Sequence, residues 1–381
     1  MKISPRFLMM TLLISLILNP SLCRERIKKN QEEYLFESGT NGYTTFRIPA
    51  IITTIKGTLL AFAEGRKNSS SDTGDIDLVM RRSDDNGKTW SDLIVIWDDK
   101  DNVCGNPAPV QDVVTGKIFL LSTWNLGSDN EPDIIKGKSM DTRRIFLLIS
   151  SDDGRTWSEP SEITGSVKQT NWTWYATGPC HGIQVREGKY RNRLIIPCDH
   201  IESVTERYYS HVIYSDDNGS TWHLGGTTPQ DQVNECSVAE LADGRLMLNM
   251  RNYDRIRKTR KVSVSTDGGI SWSDIYPDPF LVEPVCQGSL LAHNKKKILL
   301  FSNPADEISR VRMTLRVSSD QGKTWAHSRV LHEGPAAYSD ITILRSGRVG
   351  CLFEMGHKSP YEGIVFRSLK LKDLMAGNQV D

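Results

Sequence analysis

The sequence has no net charge and few cysteines. Its 47 lysines and arginines balance 47 aspartates and glutamates over 381 residues, so neither nucleic acid nor an anionic membrane is expected as the main partner. None of the seven cysteines has the spacing of a metal-binding motif. A phosphate-binding loop and a Ser-His-Asp arrangement are also absent, and helix-like periodicity is scarce. We therefore expect no metal, no cofactor and little helix.

Long hydrophobic runs are missing too, with one exception at the N-terminus. Basic residues precede a mostly apolar segment, Phe7–Leu18, that is too short to cross a bilayer. This pattern predicts a signal peptide over residues 1–23 and a linker over residues 24–32. The mature protein is expected to be soluble and exported, either to the periplasm or outside the cell. The sequence does not indicate an oligomeric state.

An eight-residue motif, Ser-x-Asp-x-Gly-x-Thr/Ser-Trp, is present five times. Asp, Asn and Gly favour a hairpin turn, and the tryptophan can pack against a neighbouring strand. Each copy follows a short aliphatic or β-branched run, and successive tryptophans lie 50 to 67 residues apart. Repeats of this length are typical of solenoids and propellers. The copies, here called boxes, are Ser83–Trp90, Ser150–Trp157, Ser215–Trp222, Ser265–Trp272 and Ser318–Trp325.

A second repeat, a turn followed by an apolar strand, is present six times. With the boxes it gives four antiparallel strands per unit, as in one propeller blade. We therefore predict an all-β, six-bladed β-propeller over residues 33–372, with a tail over residues 373–381. The last blade lacks a box, so residues 33–37 are expected to supply its fourth strand and close the ring. The turns lie at Gly57, Gly116, Asn192, Gly244, Lys296 and Gly347.

The predicted register gathers charged residues on one face of the propeller. Innermost strands start there, second strands end there and third strands begin there. Buried charges are costly unless they are paired or face a pocket, and converging arginine forks suit a carboxylate. The alternative is that each arginine pairs with a local acid such as Glu64, Glu235 or Glu354. Residues placed at this face include Arg47, Arg66, Asn106, Glu235, Arg251, Cys286 or Gln287, Arg310, Arg312 and Tyr338.

The motif Phe46-Arg47-Ile48-Pro49, followed by five boxes, resembles the exo-α-sialidase (neuraminidase) family from about Tyr34 to Leu369. The resemblance implies a six-bladed propeller that cleaves terminal α-linked sialic acids from glycoproteins, glycolipids or oligosaccharides with retention of configuration. It also implies that Arg47, Arg251 and Arg310 bind the sugar carboxylate. Arg312 is the alternative to Arg310.

The resemblance assigns the catalytic groups as well. Asp72, in a loop rich in serine and glycine, corresponds to the acid/base aspartate, with Asp75 and Asp77 as nearby alternatives. Tyr338 corresponds to the nucleophile and Glu235 to its base. A neutral phenol suits an anomeric carbon that bears a carboxylate, because an aspartate or glutamate would approach it against charge repulsion. We expect the neighbouring arginines to lower the pKa of Tyr338.

Arg66 and Gln287 resemble two further residues of the family's pocket. The same central residues also fit a trans-sialidase or an intramolecular, anhydro-forming sialidase. A non-catalytic propeller that binds sialylated glycans is the alternative from another class, although the full set of catalytic residues argues against it. Cys180 and Cys198 are expected at the same end of one blade, which leaves open both a disulfide and two free thiols.

Overall fold

The computed structural model of the chain describes residue 1 and residues 34–376. The predicted signal peptide (beyond Met1) and linker lie outside the described residues. Strands dominate the described part, which confirms the all-β prediction, and none of its helices is long and apolar enough to span a membrane. The helices are α1 (Glu131–Ile135), α2 (Thr164–Val167) and α3 (Leu371–Met375), together with a 3₁₀ turn at Asn294–Lys296.

Short strands follow one another along the chain in antiparallel meanders. Those before residue 230 are β1 (Phe36–Glu37), β2 (Thr45–Thr53), β3 (Leu59–Arg66), β4 (Ile76–Ser83), β5 (Ile94–Trp97), β6 (Val103–Gln111), β7 (Ile118–Asn125), β8 (Arg144–Ser150), β9 (Ser161–Glu162), β10 (Trp172–Thr177), β11 (Ile183–Gln184), β12 (Leu194–Glu202), β13 (Tyr208–Ser215) and β14 (His223–Thr227). Those after it are β15 (Val233–Glu240), β16 (Leu246–Asn252), β17 (Thr259–Ser265), β18 (Tyr276–Val282), β19 (Ser289–His293), β20 (Ile298–Pro304), β21 (Val311–Ser318), β22 (His327–Ile343), β23 (Val349–Met355) and β24 (Gly363–Leu369).

A four-strand antiparallel order recurs in these sheets, as the repeats predict. The orders β2-β3-β4-β5 and β6-β7-β8-β9 are joined into one sheet by a single parallel bridge between Ile76 and Val103. The order β10-β12-β13-β14, with β11 also on β12, forms a second sheet, and β15-β16-β17-β18 forms a third. In each unit the first two strands are mostly buried, because apolar residues face the neighbouring units on both sides.

The last sheet joins the two ends of the described chain. Its order is β1-β24-β23-β22-β21-β20-β19. The long strand β22 pairs with β21 through its first half and with β23 through its second half. Phe36 lies opposite Ile364, so the N-terminal strand completes the last four-strand unit, as predicted from the missing sixth box.

The five boxes share one set of hydrogen bonds. In the fourth box, Oδ1 of Asp267 accepts from the Ser265 hydroxyl at 2.8 Å and from the backbone N–H of Ser271 at 2.9 Å. The box tryptophans pack towards a neighbouring strand: Trp157, for example, lies edge-on to Phe62 at 5.9 Å. The boxes are therefore structural elements: the aspartate stabilises the turn, and the tryptophan packs it against the core.

We expect Asp267→Ala to lower the free energy of unfolding by about 1–2 kcal/mol, because the turn loses the acceptor for several N–H and O–H groups, as a lost helix cap does. Urea denaturation measures the change, with the exposed Thr266→Ala as the control. Burial raises the pKa of Asp267, but the bonds from Ser271 and Ser265 outweigh it and lower the pKa overall. The difference in the free energy of unfolding between Asp267→Ala and wild type should therefore be largest near neutral pH and shrink as the pH falls through that lowered pKa. A difference that persists unchanged in acid would contradict this account.

All six cysteines in the described part of the chain are buried and free. Cys198 lies in β12, and its partner on the neighbouring strand β10 is Thr177. Cys180 lies beyond the end of β10 and is therefore not opposite Cys198. The thiol of Cys180 instead contacts the backbone carbonyl of Cys236 at 3.5 Å. Of the two possibilities left open for Cys180 and Cys198, the structure has the two free thiols.

Candidate active site

A cavity of about 250 Å³ lies where the predicted register places the charged residues. Seven of the predicted site residues line it: Arg47, Arg66, Asp72, Glu235, Arg251, Arg310 and Tyr338. Five arginines and five acidic residues contribute to its wall, which makes it strongly polar. Such a density of buried charge is costly for stability and marks a functional site.

β-Bulges direct the key side chains towards this cavity. The pairing register shifts in β6, β10, β15 and β22, and the shifted stretches contain Asn106, Trp174, Glu235 and Tyr338, respectively. In β2 the shift begins directly after Arg47. A bulge adds a residue to one strand and re-aims the side chains beside it. The repeated bulges therefore bring equivalent positions of separate strands to one point.

Glu354 bonds to residues of two of these strands, β2 and β22, and holds them together. Its buried carboxylate accepts from Nε of Arg47 at 3.2 Å and from the backbone N–H of Tyr338 at 3.1 Å. It also accepts from the backbone N–H of Ile48 at 2.9 Å. Ile48 has a φ of 57°, which is unfavourable for a β-branched residue and costs of order 1–3 kcal/mol. The carboxylate of Glu354 thus fixes both the Arg47 guanidinium and the Tyr338 backbone.

Tyr338, Glu235 and Arg251 form a hydrogen-bonded triangle. The phenol donates to Oε1 of Glu235 at 2.7 Å, and Nη1 of Arg251 donates to the phenol oxygen at 3.0 Å and to Oε2 of Glu235 at 2.6 Å. Burial, and then the negative charge of Glu235, raises the pKa of Tyr338 well above its ordinary value. The nearby arginines lower it by less, so the expectation of a lowered pKa is wrong. The free site holds a protonated phenol in contact with a carboxylate base.

The structure distinguishes the two candidates for the third arginine. Arg310 lines the cavity, where its Nη1 donates to the hydroxyl of Tyr361 at 2.9 Å. Among the described residues no carboxylate lies within ion-pair distance of Arg310. Arg312 is about half exposed and pairs with Glu333 at 3.6 Å, outside the cavity lining. Arg310 is therefore the arginine available to an anionic ligand.

The other three predicted arginines pair with local acids and also reach the cavity. Arg47 pairs with Glu354, Arg66 with Glu64 and Arg251 with Glu235, so local acids neutralise each of them. All of these arginines nevertheless converge on the same cavity. Local pairing and convergence are thus not exclusive.

Asp72 lies in a loop at the edge of the cavity with its side chain 55 % exposed. Its Oδ1 lies 2.6 Å from Nη2 of Arg66 and 3.7 Å from Nη1 of Arg47. Burial favours the neutral carboxyl, but the charges of Arg66 and Arg47 outweigh it, and the pKa of Asp72 is lowered. Arg66 also donates to the Ser70 carbonyl at 2.6 Å, which holds the loop over the cavity.

The two neighbouring acids that were alternatives to Asp72 lie elsewhere. Asp75 and Asp77 share the ammonium group of Lys67, at 3.0 and 3.1 Å, and do not line the cavity. Asp98 joins the same group at 3.4 Å. The positive charge of Lys67 thus offsets the mutual repulsion of these three carboxylates.

Gln287 is the predicted site residue that the structure places outside the cavity lining. Its side chain is 1 % exposed, and its amide donates to the carbonyls of Pro179 and Ser339 while its oxygen accepts from the N–H of Ser339. All of these partners are backbone atoms. The prediction that Gln287 contacts substrate is therefore not supported, and the side chain instead anchors the residue after Tyr338.

A larger cavity of about 450 Å³ lies between the opposite ends of the same inner strands. Aliphatic and small polar side chains dominate its lining, and its two arginines, Arg186 and Arg191, are exposed. Its wall lacks converging buried charges, so the smaller cavity is the candidate for chemistry.

Comparison with known proteins shows the family of the chain. Residues 57–351 match the BNR repeat-like domain. An exo-α-sialidase of Aspergillus fumigatus is 31 % identical over 371 residues, which cover 88 % of this chain and 86 % of the relative. The chain belongs to the sialidase family.

Two other sialidases are similarly close. A sialidase of Bacteroides fragilis is 32 % identical over 89 % of this chain, but this chain spans only 64 % of that relative's length. Among solved structures, the Hadza microbial sialidase Hz136 has a TM-score of 0.81 and 33 % identity over 90 % of this chain and 68 % of its own.

Several residues of this sialidase-family cavity were not predicted. Arg143, Trp174 and Tyr361 line it, as does Glu131 from the short helix α1. Arg143 precedes β8, so the rule that third strands begin at this face could have found it. The others had no repeat to mark them: Tyr361 lies in the loop before β24, and α1 has no strong sequence signal.

Asp199 also lines the cavity and is completely buried. Burial, and then the negative charge of Glu235, raises its pKa well above the ordinary aspartate value. Asn234 donates to its Oδ2 at 2.9 Å. The environment of Asp199 therefore favours the neutral form of its carboxyl group.

Proposed function

We propose that this protein is a retaining exo-α-sialidase that hydrolyses terminal α-linked sialic acids of glycoproteins, glycolipids or oligosaccharides. The observation that carries the proposal is the triangle of Tyr338, Glu235 and Arg251 at the base of a cavity rich in arginine. A buried tyrosine in contact with a carboxylate base is an activated nucleophile, and the arginines select an anionic sugar.

The proposed first step begins with binding of the sugar carboxylate by Arg47, Arg251 and Arg310. The Tyr338 oxygen then attacks the anomeric carbon while Glu235 accepts the phenol proton. Asp72 protonates the glycosidic oxygen as its bond to the anomeric carbon breaks, and the aglycone leaves. The product of this step is a covalent sialosyl–tyrosine intermediate.

In the second step Asp72 takes a proton from a water molecule, whose oxygen attacks the anomeric carbon. The bond to Tyr338 breaks, and Glu235 returns the proton to the phenol oxygen. Two inversions give overall retention. The half-exposed position of Asp72 supports this role, since both the leaving group and the water arrive from solvent.

Asp72 must be protonated to act as an acid, although Arg66 and Arg47 lower its pKa in the free site. The substrate carboxylate offsets this effect, because its negative charge next to Arg47 raises the pKa of a neighbouring carboxyl. Substrate binding thus prepares Asp72 for proton transfer. No metal or other cofactor is required by these steps.

The proposed architecture is a six-bladed propeller over residues 33–372, closed by the pairing of β1 with β24, in a protein exported by a signal peptide at residues 1–23. Antiparallel pairing of Phe36 with Ile364 supports closure, since it removes a free sheet edge. The partner is a sialylated glycan.

The test is incubation with α2,3-, α2,6- and α2,8-linked sialosides, followed by NMR of the first product. We expect free sialic acid to appear first as its α-anomer, with the β-anomer forming later by mutarotation. The β-anomer as the first product would overturn retention, and an anhydro sugar or transfer to an added glycan would favour the alternative enzymes. Binding without any release would favour the non-catalytic alternative.

A further inference from the structure

Lys168, directly after α2, presents its ammonium group to the backbone behind the cavity wall. Nζ donates to Oγ1 of Thr142 at 2.6 Å and to the carbonyls of Arg143 at 2.6 Å and Thr173 at 2.9 Å. Each N–H of the ammonium thus has a neutral acceptor. In the described part of the chain, no carboxylate lies within ion-pair distance of Lys168. A half-buried ammonium without a counter-ion is costly, which indicates a specific role.

The segments that Lys168 connects carry two side chains of the cavity wall. Arg143 stacks on the ring of Trp174, with its guanidinium carbon 4.0 Å from the ring centre. Nη2 of Arg143 also donates to Oδ1 of Asn106 at 2.6 Å. Arg143, Trp174 and Asn106 all line the cavity. Lys168 thus bonds to the backbone of Arg143 itself. It also bonds to the backbone of Thr173, the residue directly before Trp174.

We propose that Lys168 is a positioning residue, whose charged ammonium group holds the backbone at Thr142 and Arg143 against that at Thr173 and so keeps Arg143 and Trp174 in place for substrate binding. The inference rests on the proposed function, since it takes the substrate to be a sialoside. Lys168 itself does not line the cavity, so it acts through Arg143 and Trp174.

This contact is sensitive to pH near neutrality. Burial, followed by the positive charge of Arg143, lowers the pKa of Lys168 to about 7. Asp141 opposes the shift and Arg144 adds to it. The ring of His200 also faces this charge, but burial, followed by Lys168, lowers the pKa of His200 to about 3, so this ring is neutral. As the pH rises past 7, Lys168 loses one donor and its charge, and the contact weakens.

Three variants test the proposal. Lys168→Met removes the donors, and we expect KM to rise about tenfold at pH 6 with kcat changed less than threefold, since wall contacts are made in both ground and transition states. Lys168→Arg keeps donors and charge at every pH, so its KM should stay low from pH 6 to pH 8. Wild-type KM should approach that of Lys168→Met as the pH rises. The exposed Lys323→Met is the control and should match wild type.

A double-mutant cycle tests the route through Arg143. In an Arg143→Met background, the further change Lys168→Met should raise KM by less than twofold, because the two act as one unit. Full additivity, or a Lys168→Met KM equal to wild type at pH 6, would overturn the proposal.

One readout is independent of turnover. The indole N–H resonance of Trp174, assigned with Trp174→Phe, should shift in Lys168→Met and return towards its wild-type position in Lys168→Arg. An unchanged resonance in a folded Lys168→Met protein refutes positioning even if the enzyme is active. Absence of sialic acid release by wild type refutes the proposed function, while the resonance still decides the role of Lys168.

Discussion

Tyr338→Phe should reduce sialoside turnover at least about 1,000-fold, because it removes the proposed nucleophile and leaves no substitute at the same point. The fold should survive. Only one hydroxyl is lost, and Arg251 and Glu235 remain paired with each other at 2.6 Å. Steady-state kinetics and thermal unfolding measure the two effects. Tyr214→Phe, at a half-buried tyrosine outside the cavity lining, is the matched control and should retain activity.

The covalent step has its own test. A 2,3-difluoro sialosyl fluoride should label the wild-type protein, and mass spectrometry of the digest should locate the adduct on Tyr338. Labelling should disappear in Tyr338→Phe. An adduct on Asp72 or Glu235, or full labelling of the Phe variant, would refute the tyrosyl intermediate and require a different nucleophile.

Arg47→Lys should lower kcat/KM about 100-fold or more, since each charge-assisted bond from the fork is worth about 1.5–3 kcal/mol and lysine cannot form two parallel bonds. Stability should change far less. The lysine keeps its positive charge next to Glu354, so the buried carboxylate is not left unpaired. Kinetics on several sialosides, with thermal unfolding, measure both quantities.

Arg193→Lys is the matched control for Arg47→Lys. Arg193 is also buried and binds a carboxylate with two bonds, to Asp216 at 2.8 and 2.7 Å, but it lies outside the cavity lining. Its replacement should affect stability and leave kcat/KM unchanged. Near-normal kcat/KM of Arg47→Lys on every sialoside would refute the proposed carboxylate clamp.

Local sequence patterns predicted much of the fold. The Ser83–Trp90 box and its four copies each begin at the last residue of a strand. From the missing sixth box we predicted that residues 33–37 pair with the last strand, and in the structure Phe36 and Glu37 do so. These predictions succeed because turn chemistry and apolar runs act over a few residues. The same register brought Arg47, Glu235 and Tyr338 to one cavity.

The errors arose where contacts distant in sequence decide a side chain's environment. Gln287 and Tyr338 both lie near inner-strand starts, yet Gln287 turns to the backbone and Tyr338 faces the cavity. The raised pKa of Tyr338 depends on how deeply it is buried beside Glu235, which counting charges along the chain does not reveal.

The sequence by itself determined the strand order, the repeated unit and the family, because each depends on short motifs that have the same meaning wherever they occur. Only the tertiary structure decided which side chains act together. Arg310 rather than Arg312 reaches the cavity, Glu354 binds an arginine 307 positions away, and bulges rather than simple alternation aim the proposed catalytic residues. The physical reason is that charge pairing, burial and bulge geometry are set by three-dimensional contacts among strands that are far apart along the chain.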